Sequence, residues 1–110
     1  MEINVTPHEN YSLVAVSGRV DSLTAPQFNE ALKKLFQSER YKVVIDLEHV
    51  NYVSSAGLRV LIDAQKTCKP QGGLVALSHV PQRIYETLEL AGLTSLFRIE
   101  NDPAKHFANV

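Results

Sequence analysis

Residues 43–47 read Val-Val-Ile-Asp-Leu, and this run constrains the fold more than any other. It is apolar nearly throughout, without the alternation of a strand that keeps one wet face. Such a strand needs cover on both faces, so it belongs at the centre of a sheet flanked by other elements. The neighbouring segments can supply that cover. Upstream, Phe28, Ala31, Leu32, Leu35 and Phe36 recur at helical spacing, with Glu30, Lys33 and Lys34 on the outer side; this predicts an amphipathic helix to about Ser38. Downstream, Leu58, Leu61, Ile62, Gln65 and Cys68 mark a second helix to about Lys69, which Pro70, Gly72 and Gly73 stop.

The remaining elements extend this alternation. Ile3 and Val5 begin a short strand ended by Pro7, and Glu9-Asn10 turns into a second strand from Tyr11 to Val16. Its residues follow a partial period of two, and Gly18 ends or bends it. Thr24 is a plausible N-cap for the first helix, with Pro26 in the opening turn. His49-Val50-Asn51 reads as a polar loop after the central strand. Leu74–Leu77 is another apolar strand. Pro81 opens a third helix with Ile84, Leu88 and Ala91 on one stripe and Gly92 as its C-terminal cap. Leu96–Ile99 predicts a last short strand, and Asp102-Pro103 the start of a final helix carrying Phe107. The order β-β-α-β-α-β-α-β-α predicts a single α/β domain over residues 1–110. It has a mixed sheet of about five strands and about four helices joined by right-handed crossovers.

Composition narrows the function classes. With 110 residues, 45% hydrophobic and 21% charged, the chain is one domain that can bury a core. Eleven basic and twelve acidic residues are interspersed, for a net charge of −1. That gives no basic field for nucleic acid or anionic lipid. No apolar stretch nears the ~20 residues that span a bilayer, and residues 1–5 do not read as a signal peptide; a cytoplasmic location is expected. Cys68, the single cysteine, reads as a buried thiol. His8, His49, His79 and His106 are scattered without ligand spacing, so neither metal nor cofactor is expected. Val53 stands where a nucleophile elbow centred on Ser55 needs glycine, so no catalytic residue is expected either.

The polar feature that remains is Tyr52-Val53-Ser54-Ser55-Ala56-Gly57-Leu58. Two hydroxyls sit where a buried strand gives way to a helix, at the positive end of the helix dipole. One of them can cap the helix; the second has no structural task that the sequence shows. Ala56 and Gly57 leave the first backbone N–H groups open to an approaching group. Gly57 gives up roughly 1 kcal/mol of helix propensity, as close approach by another molecule would require. Asp46 reads as a strand-end carboxylate bonding loop backbone. Asp21 is either turn chemistry or an acidic neighbour of the serine pair, if the two loops share one edge of the sheet.

Taken jointly, Gly18–Ala25, Val43–Leu47 and Tyr52–Leu58 resemble the STAS domain of bacterial anti-sigma factor antagonists. In that family a D-S-S-G-L core carries a phosphorylatable serine. The resemblance places the phosphoacceptor at Ser55, with Ser54 in the aspartate position, Ala56 in the second serine position, and Gly57-Leu58 matching. Asp21 falls on the family's acidic position. Asp21, Ser22, Thr24, Ser54, Ala56, Gly57 and Arg59 are then expected to face the partner. The implied partners are an anti-sigma factor that is also a serine kinase of the histidine-kinase-like ATPase type, and a metal-dependent serine phosphatase. The alternative is a non-switching STAS scaffold module of a transporter or signalling assembly, with the serine only a cap.

Overall fold

A computed structural model of the chain describes residues 1–103, 105 and 107. Its elements are β1 (Glu2–Pro7), β2 (Ser12–Val20), α1 (Ala25–Gln37), β3 (Lys42–Val53), α2 (Ser55–Cys68), a 3₁₀ turn (Lys69–Gln71), β4 (Leu74–Ser78), α3 (Gln82–Leu90) and β5 (Arg98–Ile99). The five strands lie in sequential order; β1 runs antiparallel to β2, and the other pairs are parallel. Every parallel connection therefore steps in one direction. Right-handed crossovers then put α1, α2 and α3 on the same face of the sheet.

The main core lies between that face and the helices. Val14 and Val16 of β2, Val43, Ile45 and Leu47 of β3, and Val75 and Leu77 of β4 meet Phe28 and Leu32 of α1, Leu61 of α2, and Ile84 and Leu88 of α3. Each side chain of this size contributes about 1.5–3 kcal/mol by leaving water. Gln65 sits in this core on the apolar stripe of α2, and its amide is fully engaged. It accepts the Val75 N–H at 2.7 Å and donates to the Val75 and Leu96 carbonyls at 3.1 and 2.8 Å. A buried amide so paired ties α2 to β4 without a desolvation penalty. On the opposite face Val44 and Ala76 pack with Phe107, so the central strand is covered on both sides, as its composition demands. Cys68 is buried, and burial pushes its thiol up to about 12.

Several sequence expectations change. Gly18 bends β2 rather than ending it: at φ +90° it takes the left-handed backbone that glycine adopts freely, beside a register shift against β3. β2 then runs on to Val20. The expected loop at His49-Val50-Asn51 is strand. Val50 pairs with Gly18 and Val53 with Val20, and both valines are buried; pairing with the bent end of β2 overrides the local polarity. Ala91 is exposed, off the stripe of α3, and β5 is only two residues long. Among the described residues there are three α-helices. The expected fourth falls largely on positions outside them, although Phe107 is described and buried.

Candidate functional site

Two strand-to-helix turns meet at the carboxyl edge of the sheet. Register decides this: Arg19 pairs with Tyr52 and Val20 with Val53 across β2 and β3. The chain leaves both strands at the same level, Asp21 following one and Ser54 the other. The Ser54 N–H donates to the Val20 carbonyl at 2.8 Å, lacing the turns together.

The turn after β2 is saturated with hydrogen bonds. Asp21 Oδ1 accepts the Leu23 N–H at 3.0 Å and the Thr24 N–H at 3.2 Å. Thr24 Oγ1 accepts the Asp21 N–H and donates to the Arg19 carbonyl, both at 2.9 Å. Thr24 occupies the cap position of α1, but its hydroxyl makes no cap bond; it faces back into the turn instead. The backbone N–H of Leu23 holds the Asp21 carboxyl below its ordinary range, helped by Thr24 and Arg19. Arg19 lies 3.5 Å from Asp21 Oδ2 and stacks over the Tyr52 ring at 4.3 Å. The Leu23 side chain stands outside this network, 87% exposed, and Ser22 is exposed beside it.

The turn after β3 is the reverse. Ser54 is the extended residue before α2, but its side chain makes no cap bond. Its Oγ is buried without a partner, so the capping expected of a serine here is not realised. Ser55, the first residue of α2, is exposed, and no hydrogen bond engages its hydroxyl among the described residues. No acidic residue lies in the first turn, leaving the positive end of the helix dipole uncompensated. The first intrahelical bond runs from the Leu58 N–H to the Ser54 carbonyl, so the N–H groups of Ser55, Ala56 and Gly57 find no acceptor within the helix.

Gly57 has a different role from the one expected. It is buried, and a Cβ there would lie 2.8 Å from Val20 Cγ1, 2.9 Å from Val53 Cγ1 and 3.0 Å from the Val20 carbonyl oxygen. The close approach is the protein's own: α2 packs its first turn directly on the ends of β2 and β3. Ala56 is half-buried and Arg59 exposed, with Arg59 4.0 Å from Asp63. Sequence reasoning passed over Tyr52 as a surface group. It is 41% exposed and stands beside the serines, and its neighbours in the chain, Asn51 and Val53, carry no signal of its contact with Arg19.

A mixed sheet in sequential order, with its crossover helices on one face and a serine-bearing turn at its carboxyl edge, defines a small single-sheet α/β domain. The STAS domain model matches residues 2–106, and the chain belongs to the STAS-domain family. An anti-sigma-B factor antagonist of Listeria monocytogenes is 32% identical over 88 residues, covering 80% of this chain and 77% of that protein. The Bacillus subtilis protein of the same description is 29% identical over 99 residues, 90% of each chain. The crystal structure of an anti-sigma factor antagonist from Mycobacterium paratuberculosis is similar at a TM-score of 0.83 and 26% identity, covering 97% of this chain and 93% of that one. Coverage this complete makes the likeness one of whole domains. Among the described residues no helix is long and apolar enough to cross a membrane.

Proposed function

We infer that this chain is an anti-sigma factor antagonist that switches partners through Ser55. Unmodified, it binds an anti-sigma factor that is also a serine kinase, and so frees a sigma factor. Phosphorylation of Ser55 breaks the complex, and a metal-dependent serine phosphatase restores it. The chain contributes a binding surface and an acceptor hydroxyl, and no catalytic group.

The observation that carries this reading is the exposed, unengaged Ser55 hydroxyl on the opening turn of α2, in a chain whose relatives are anti-sigma-B factor antagonists. A hydroxyl free of intramolecular bonds can enter a kinase site without breaking any. Phosphate adds about −1.5 to −2 charges at pH 7, which the end of α2 accommodates at a gain of roughly 0.3–1 kcal/mol. Within a docked interface the same charge loses its water, which costs several kcal/mol when it is unpaired. The fold persists while the complex does not. Ser54 and Ala56 depart from the family's aspartate and second serine; they leave one possible acceptor fewer and one charge less beside Ser55, and so bear on which kinase recognises it. Asp21, Ser22 and Thr24 are the acidic and hydroxyl residues that the neighbouring turn adds to this surface, and Arg59 the cation one turn along α2.

The test is phosphorylation of the purified chain by its cognate anti-sigma factor kinase and ATP, followed by peptide mass spectrometry. Modification at Ser55, absent from Ser55→Ala, is the expected result. Phosphate on another residue, or none, refutes the assignment.

A further inference from the structure

We propose that Asp46, Glu48 and His79 form a binding site for a divalent first-row transition-metal ion of the zinc type. The three residues are far apart from any ligand motif in sequence, and the sheet brings them together. Asp46 and Glu48 stand two apart on β3, next to a register shift against β2. His79 directly follows β4, whose last residue, Ser78, pairs with Asp46. One oxygen from each carboxylate and one imidazole nitrogen lie within 4.8 Å of one another, and Asp46 Oδ1 is 3.6 Å from His79 Nδ1. Ligand atoms held at roughly 2.0–2.2 Å around a tetrahedral ion stand about 3.4 Å apart. The Asp46–His79 pair is already near that spacing, and rotation of the exposed Glu48 side chain closes the remainder.

The chemistry of the set selects the ion. Two carboxylates carry two negative charges, which a dication neutralises. The imidazole favours zinc-type ions over magnesium and calcium, which prefer all-oxygen shells. The Glu48 N–H donates to Asp46 Oδ1 at 3.0 Å, orienting a carboxylate that keeps lone pairs to give. The cluster lies at the carboxyl end of β4, the edge where open α/β sheets place their ligands. It lies on β3 ahead of the serine turn and does not depend on the role of Ser55. A bound ion would fasten the β4–α3 connection to β3. Glu48 Oε2 is also 3.7 Å from His49 Nε2, so His49 is the competing partner that an experiment must separate.

Isothermal titration of the full chain with zinc chloride, after chelator treatment and buffer exchange, should give one ion per chain. Glu48→Gln and His79→Asn should each weaken binding at least tenfold; asparagine tolerates the φ of +50° at this position. His49→Asn should change it less than twofold. In nuclear magnetic resonance spectra of the unmutated chain, zinc should shift the His79 imidazole signals while a tenfold excess of magnesium leaves them in place. Absence of binding up to millimolar zinc, half an ion per chain, or undiminished binding by His79→Asn would each overturn the site.

Discussion

The two turns at the carboxyl edge have the same position in the fold and opposite chemistry. After β2, the Asp21 carboxylate and the Thr24 hydroxyl each engage backbone groups of their own turn. After β3, the Ser54 hydroxyl is buried without a partner and the Ser55 hydroxyl is exposed and unengaged. The first turn is built to hold its shape. The second holds its shape by packing, through Gly57 against Val20 and Val53, and leaves its polar groups free. The proposed phosphorylation of Ser55 would draw on this division: rigidity from apolar contact, availability from unspent hydrogen bonds.

The largest expected effect strikes the free turn. Ser55→Asp should weaken binding to the proposed anti-sigma factor kinase at least a hundredfold, about 3 kcal/mol, because a carboxylate there must be desolvated on docking. Its thermal midpoint should hardly move. Titration calorimetry measures the first and circular dichroism the second; unchanged affinity would show that the turn is not in the interface.

Packing comes next. Gly57→Ala should destabilise the domain by about 1–3 kcal/mol in urea denaturation, as overpacking does where backbone and β-branched neighbours cannot yield. A negligible loss would mean that the first turn of α2 is not clamped after all.

Asp21→Asn should destabilise less, by removing a carboxylate that its turn holds in the charged form. The folded carboxyl lies below its ordinary value, so its contribution is full above the unfolded value of about 3.9 and is lost as pH falls through the folded one. The gap in urea midpoint between Asp21→Asn and the unmutated chain should therefore narrow below about pH 4. A gap that stays constant with pH would assign the effect to turn shape alone.

Ser54→Ala should do least. An N-cap serine that spends its hydroxyl on the helix loses about 1 kcal/mol on truncation. A buried hydroxyl without a partner loses nothing when removed, so stability should stay within about 0.5 kcal/mol or rise. A full capping loss would erase the contrast between the turns.

Much of the fold was legible because hydrophobic period and turn residues act locally. The helical stripes of α1 and α2, Pro26 in the opening turn of α1 and the covered central strand could all be read from side-chain spacing. The lengths of β2 and β3 could not, since Val50 and Val53 are strand residues only by virtue of the bent β2 beside them. At the site, the serine pair announced itself as two hydroxyls before an amphipathic run. That Thr24 turns back to Arg19, that neither serine caps α2, and that Gly57 serves the protein's own packing are matters of rotamer and neighbour.

The order of residues was enough to establish an α/β domain, its strand-helix alternation and a serine at the mouth of its second helix, because each depends on contacts a few residues apart. Strand register alone brought Asp21 beside the serines and His79 beside Asp46 and Glu48. Those meetings join distant stretches of chain, and local pattern carries no information on which strand edge a distant partner will reach.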